Sequence, residues 1–437
     1  MTARPRDVTR GRMHSVLRRL LTVFCCAAVV TTATTAQTPL SADAAAQLRL
    51  FDEVWSTVND NFYDPNFGGV NWAAVRNELR PKAEHAPSMD DARAVVREML
   101  SRLKKSHLAL LSGASAADEE FIPRGEAMPD VQVRVLDREV RVTRGSALLP
   151  GGSVVLTIDG RDVRPRAGES ALLSYRRADA ALHGLDGSTA VITYRAVGAS
   201  ASAHAALPRV IPPGTRVQFS NLAPVRVRVD VSEHKTPAGR RVGAIGFNIW
   251  MAAINDPVAE AVDRFRAADG LVIDLRGNPG GLAAMISNIA GHLIDSDALL
   301  GTMHTRAVPE LKFKVNPRRS TNDGRAVTPF SGPVAVIVDE LTASASECFA
   351  GALQDLGRVR VFGRTSMGAA LPAFTKRLSN GDVLEYVVGD FTTSKGRSLE
   401  GGGVVPDETQ PLTIAGLAAG RDEAMNAALA WIDRQHK

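Results

Sequence analysis

Cysteine is nearly absent from this chain, with three in 437 residues. Cys25 and Cys26 fall within the first 36 residues and Cys348 stands alone in the rest, so a chain that loses its leader cannot close an intramolecular disulfide. Stability must come from packing. There is no H-E-x-x-H and no Cys/His cluster, so a metal mechanism lacks its ligands; neither a metal nor another cofactor is expected. Repeats of solenoid length are missing too. The leading apolar stretch, residues 20–30, is too short to span a bilayer as a stable anchor.

What is present begins with a leader. Arginines at 4, 6, 10, 12, 18 and 19 precede that apolar stretch and the small residues Thr34, Thr35 and Ala36, the pattern of a secretory signal peptide over residues 1–36. Phe24 stands before Cys25 where a lipoprotein signal needs a small residue, so export to the periplasm or exterior as a soluble protein is expected, without a stable membrane anchor after cleavage. The leader also carries the charge imbalance. It holds six of the 52 basic residues and one of the 47 acidic residues, leaving 46 of each. A balanced remainder gives no electrostatic reason to expect a nucleic-acid partner.

Phe51, Val54, Trp55, Val58 and Phe62 recur at helical spacing, and Ala92, Val95, Val96, Met99, Leu100 and Leu103 do so behind Ser88 and Asp91, which fit a capping box. A helical domain over residues 43–112 follows. Strand-like runs at 131–136, 153–160 and 189–195, with a helical stretch from about 169 to 182, make residues 125–215 a β-rich module. Its Ala/Ser/Pro-rich segment 197–214 reads as linker or loop. Over residues 225–435 strands and helices alternate. An apolar strand at 271–275 runs through R-G-N-P-G-G (276–281) into a helical stretch, 282–294; another at 334–338 runs through L-T-A-S-A-S-E (341–347) into a helix ending near Leu356, before a strand at 359–362. Such units imply an α/β core whose parallel strands end on one edge, where both loops should lie.

Taken alone, Ser344 and Glu347 fit a capping box at a helix start. The same place suits a nucleophilic serine, because a helix N-terminus and adjacent amides stabilise a tetrahedral oxyanion. The glycines of R-G-N-P-G-G would let backbone amides approach a substrate carbonyl. No Gly-Lys-Ser/Thr follows them, so a phosphate loop is not indicated.

Together, V-I-D-L-R-G-N-P-G-G, V-A-V-I-V-D-E-L-T-A-S-A-S-E with A-G-A-L-Q-D behind it, and L-E-G-G-G-V-V-P-D (399–407) resemble the core of the tail-specific, or C-terminal processing, peptidase family, family S41. The likeness extends upstream. G-S-A-L-L-P-G-G-S-V-V-L-T-I-D-G resembles a degenerate PDZ-type module, and the helical domain ending in L-K-K-S-H resembles the family's N-terminal bundle. The resemblance implies an α/β multidomain chain with a ClpP/crotonase-like core and mostly parallel sheet. It implies Ser344 as nucleophile and an oxyanion hole at Ala345, Gly280 and Gly281. Thr342 stands where many relatives carry a further serine. The implied function is that of an exported serine endopeptidase acting through an acyl-enzyme on unfolded or extended protein segments.

One departure from the best-known branch is large. Ala369 occupies the position of that branch's catalytic lysine, and Ala373 that of its assisting glutamine. A serine without a neighbouring base is a poor nucleophile. Of nine histidines, His14 is in the leader, and His85, His183, His204, His234 and His436 read as loop, linker or terminus. His292 and His304 stay open as bases within the core, though nothing near either resembles a family motif. His107, in K-K-S-H-L, matches the base of the branch that resembles the chlamydial protease-like factor, and Glu400 matches its late carboxylate. The resemblance therefore implies a Ser344, His107, Glu400 triad. Two alternatives stay open: a Ser-Lys dyad using Lys376 or Lys395, and a peptide-binding relative without turnover. Cys348, one helical turn beyond Ser344, reads as a buried small apolar residue.

Overall fold

The computed structural model describes residues 41–112, 119–218, 224–308 and 310–436. The leader expected over residues 1–36 lies outside them. Among the described residues no helix is long and apolar enough to cross a membrane.

Helices α1 (Ala42–Asn61), α2 (Trp72–Glu84) and α3 (Met89–Ser101) each begin at a side chain that accepts a free backbone N–H: Ser41 from Ala44, Asn71 from Ala74 and Ser88 from Asp91. Their apolar faces bury Phe51, Val54, Val58, Leu79, Val96 and Met99. Each such side chain contributes about 1.5–3 kcal/mol over its exposed state. This core does not close on itself, because Leu371, Leu378, Leu384 and Val387 from far along the chain complete it. Strand β1 (Ala109–Leu111) then carries the chain out of the bundle.

A second region holds β2 (Gln132–Leu136), β3 (Glu139–Arg144), β4 (Val154–Ile158), β5 (Arg161–Asp162), α4 (Ala171–Leu182), β6 (Thr189–Arg195) and β7 (Ala203–Pro208). Its sheet order is β2-β3-β4-β6-β7, with Ala178, Ala181 and Leu182 of α4 in the core. Strand β7 corrects the reading of 197–214 as loop. Its Ala205 and Leu207 alternate inward against β6, and the period of two is hidden by alanines of weak strand preference. A ribbon of β8 (Thr215–Val217) and β9 (Val225–Val227) follows.

The third region runs β10 (Val229–Lys235), β11 (Arg241–Phe247), α5 (Asn255–Arg264), β12 (Gly270–Asp274), α6 (Met285–Ala290), β13 (Leu299–Thr305), β14 (Leu311–Lys314), β15 (Val334–Val338), α7 (Ala345–Asp355) and β16 (Arg360–Gly363), then β17 (Ala373–Arg377), β18 (Val383–Val387), β19 (Gly389–Thr393), β20 (Glu408–Thr409), α8 (Ile414–Ala418) and α9 (Glu423–Arg434). The main sheet has the order β10-β11-β12-β15-β16-β20, antiparallel at β10 and parallel elsewhere. Ile245, Ile273, Val336 and Val361 lie side by side across it. Every residue of β15 is buried, as a strand covered on both faces requires. Residues of α5, α6 and α7 cover one face, and Ala428, Leu429 and Ile432 of α9 the other. Helix α6 is shorter than the stretch 282–294. At Gly291 the carbonyl of Asn316 occupies the place of a Cβ, so another segment crosses where the helix would continue.

Two small sheets complete the fold, β14-β13-β19 and β1-β18-β17. In the second, Leu110 of β1 pairs with Leu384, which ties the end of the helical domain to the core. Strands β12 and β15 are parallel neighbours, so the loops after Asp274 and Val338 emerge on the same edge.

Candidate active site

Ser344 is the residue before α7, but its backbone is not that of an ordinary cap. Its φ of 55° and ψ of −122° lie outside the extended region where such residues sit, a strained conformation for a side chain with a Cβ. Its surroundings hold it there. The Ser344 N–H donates to the carbonyl of Ala369 (2.8 Å) and to the carboxylate of Glu347 (3.1 Å), and the Ala343 N–H donates to the Asn278 carbonyl (3.0 Å). A Cβ on Gly280 would stand 2.6 Å from that of Ser344, so only glycine permits this approach.

Glu347 is fully buried beneath the turn. It accepts hydrogen bonds from the Ser366 hydroxyl and from the amides of Gly368, Ala369 and Ser344. Burial pushes its carboxyl up, and these donors offset that only in part. Thr342 is also buried; its hydroxyl donates to Leu275 O (2.9 Å) and accepts from Asp339 N (2.9 Å), stapling the two loops together.

The residues expected to form an oxyanion hole differ in what their amides do. Gly280 N–H is taken by the side chain of Asn278 (3.0 Å). The amides of Gly281 and Ala345 donate to no acceptor among the described residues. These two, beside Ser344, are the donors free to meet a developing oxyanion.

Residue 107 reaches this edge from the helical domain. Its imidazole Nδ1 lies 2.8 Å from the hydroxyl of Ser106, whose oxygen is 2.9 Å from Glu400 Oε2. Ser106 N also donates to Glu400 Oε1 (2.9 Å), and Ala370 N to Oε2 (3.1 Å). The expected direct contact between His107 and Glu400 is thus replaced by one through Ser106. That residue was missed, although its hydroxyl stands next to the histidine in K-K-S-H. The arrangement fixes a tautomer: an ionised Glu400 only accepts, so the single Ser106 proton points to it. The same oxygen then accepts from Nδ1–H of His107, leaving Nε2 with a free lone pair. No hydrogen bond joins His107 to the Ser344 hydroxyl in this conformation. They meet through one turn, in which Ala369 O receives Ser344 N–H and Ala370 N reaches Glu400.

The other expected bases lie elsewhere. Lys376 Nζ is bound to Thr57 Oγ1 (3.0 Å) and Glu53 (3.5 Å) on α1. Lys395 is exposed in the turn after β19. His292 is buried against Arg318, and burial brings its pKa down to about 4. His304 pairs with Asp390 (2.8 Å) across β13 and β19. Ala373 is a strand residue opposite Val387. Cys348 is buried, and burial holds its thiol far above the ordinary range, so it is no competing nucleophile.

Residues 241–410 match the model of peptidase family S41, and residues 44–101 that of the tricorn protease C1 domain. The carboxyl-terminal-processing protease of Picosynechococcus is 26% identical over 379 residues, covering 84% of this chain and 84% of its own. The chloroplastic C-terminal processing peptidase of Tetradesmus obliquus is also 26% identical, over 84% of this chain and 78% of its own. Among solved structures, mature CPAF superposes with a TM-score of 0.62 at 13% identity over 90% of this chain and 99% of that one. The photosystem II D1 C-terminal processing protease does so with a TM-score of 0.52 at 23% identity, over 87% and 98%. At such identities the structures speak for the shared α/β multidomain fold. The family models and the curated relatives speak for the chemistry: this chain carries a peptidase family S41 domain over residues 241–410 and is a serine peptidase.

Proposed function

We propose that the protein hydrolyses peptide bonds in extended or unfolded protein segments, carboxyl-terminal regions among them, with Ser344 as nucleophile, His107 as general base and Ser106 and Glu400 as the groups that orient the base. The observation that carries this is the hydrogen-bonded path from Ser344 N through the Ala369–Ala370 turn to Glu400, Ser106 and His107, beside two unengaged amides. Four segments remote in sequence meet there.

In the reaction, His107 Nε2 takes the Ser344 hydroxyl proton as Oγ bonds to the substrate carbonyl carbon. The carbonyl oxygen becomes an oxyanion received by the Gly281 and Ala345 amides. His107 then returns the proton to the departing amine, leaving an acyl-enzyme, and activates the water that releases it. Rotation of the Ser344 or His107 side chain must close the missing hydrogen bond, as is common when a site binds substrate. The tail-specific reading draws on the names of the relatives. The leader over residues 1–36 supports the action of a soluble enzyme outside the cytoplasm.

The test is turnover of an unfolded protein such as casein by the full chain and by Ser344→Ala. Cleavage that the variant lacks supports the reading; equal cleavage, or none by either, overturns it.

A further inference from the structure

The two loops that build the site share one buried carboxylate that the reaction does not use. Asp339, at the end of β15, is 4% exposed. Its Oδ1 accepts from Gly277 N (2.8 Å), three residues before Gly280, from Leu341 N (3.1 Å), and lies 3.2 Å from the Thr342 hydroxyl, two residues before Ser344. Its Oδ2 receives Nε (3.1 Å) and Nη2 (3.0 Å) of Arg134. Arg134 belongs to β2, in the β-rich module, and is itself 9% exposed. Its guanidinium also donates to Val133 O (2.9 Å) and lies 5.5 Å from the centre of the Tyr175 ring. The pair borders the cavity between that module and the edge of the main sheet.

Burial alone would push the Asp339 carboxyl up, but Arg134 and the Gly277 amide outweigh it and hold it below the ordinary carboxylate range. A buried carboxylate stripped of its counter-charge must protonate or draw in water, and either change weakens its grip on the amides it holds. Packing at Gly277 is close. A Cβ there would lie 3.0 Å from Arg134 Nη2, and φ is +72°. A shift of Arg134 therefore acts directly on the backbone that leads into Gly280 and Gly281.

We propose that Asp339, with Arg134 as counter-ion, is the positioning residue for the two loops that carry the oxyanion donors Gly281 and Ala345. This rests on the reading of Ser344 as nucleophile. Neither residue touches the reacting atoms. Geometry at an oxyanion hole is steep in rate, and a misplacement of about 1 Å costs on the order of 10²-fold.

The experiment uses the full chain, a short chromogenic peptide substrate and a fluorophosphonate, which bonds through phosphorus to an activated serine oxygen as fluoride leaves and the proton passes to the base. Mass spectrometry first locates the wild-type adduct. An adduct elsewhere than Ser344, or none, overturns the nucleophile reading and this proposal with it. With Ser344 labelled, Arg134→Gln is expected to lower kcat about 10- to 100-fold with KM within about threefold. The rate of labelling should fall in parallel while the final labelled fraction stays that of the wild type. Arg134→Lys, which keeps the charge but not the fork, should recover part of the loss and carries the same measurement if Arg134→Gln does not fold. Pairing Arg134→Gln with Asp339→Asn should be less damaging than Arg134→Gln alone, since no charge is left buried and unpaired. An unchanged kcat, a loss confined to KM, or a loss confined to the final labelled fraction overturns the proposal while leaving the nucleophile reading intact.

Discussion

Ser344 donates its backbone N–H to the carbonyl of Ala369, 2.8 Å away. Ala369, where the resemblance to the best-known branch would put a lysine, is thus bound to the serine through its backbone. The same turn passes its next amide, that of Ala370, to Glu400. An alanine at this position therefore leaves the turn bound into the site, and in the proposed reading the Ser106–His107 pair supplies the basic group across it.

The relay through Ser106 makes the first prediction. Ser344→Ala and His107→Ala should each remove most of the activity, and combining them should add little, because the groups act as one unit. Ser106→Ala should lower kcat by about 10²-fold, as expected when a general base loses its orientation, and Ser106→Thr should recover much of it by restoring the hydroxyl. Steady-state kinetics with far-ultraviolet circular dichroism decides. Full activity in Ser106→Ala would remove the relay.

Lys376 offers the contrasting case. Its ammonium is held by Thr57 and Glu53 and is 42% exposed. Lys376→Met should leave kcat within about twofold and cost no more than about 1 kcal/mol of stability, the range of exposed ion pairs. A drop of a hundredfold or more would restore the Ser-Lys dyad.

Glycine substitutions separate the site from its frame. Gly280→Ala sets a methyl 2.6 Å from Ser344 Cβ and 3.0 Å from Ala345 N, and should lower the rate at least about 10²-fold. At Gly396 φ is +77° with nothing within 4 Å, so Gly396→Ala should cost about 1–2 kcal/mol in backbone strain and leave kcat unchanged. Thermal melts run beside the kinetics distinguish the two effects.

Acid should find His292. Burial first, and then the neighbouring Arg318, bring its pKa to about 4 in the folded protein, whereas an unfolded chain titrates it near 6.5. Between those values the unfolded state binds more protons, so stability should rise with pH, by up to about 1.4 kcal/mol per unit from this group. Replacing His292 with Gln should flatten the slope of unfolding free energy between about pH 4 and 6.5. An unaltered slope would show that His292 titrates alike in both states.

Patterns carried by neighbours in the chain were legible without coordinates. The periodicity of Phe51, Val54, Val58 and Phe62 gave a helix, all-apolar 334–338 gave a strand, and two strand–loop–helix units gave a parallel edge. T-A-S-A-S-E and R-G-N-P-G-G marked the loops for the same reason: their chemistry is written in adjacent residues. Strand β7 escaped notice because its alanines conceal an alternation that only pairing with β6 exposes.

What tertiary structure alone decided are contacts that close over long loops. Ser106 and Glu400, 294 positions apart, meet because β1 pairs with β18 and brings the end of the helical domain to the core. Arg134 meets Asp339 across 205 positions for a comparable reason. Which glycine amide stays free depends on whether Asn278 turns its side chain back onto Gly280. The sequence by itself determined most of the elements and named candidate reactive groups, because periodicity and residue chemistry are local. The fold decided which groups touch, because hydrogen bonds depend on tenths of an ångström that no linear spacing encodes.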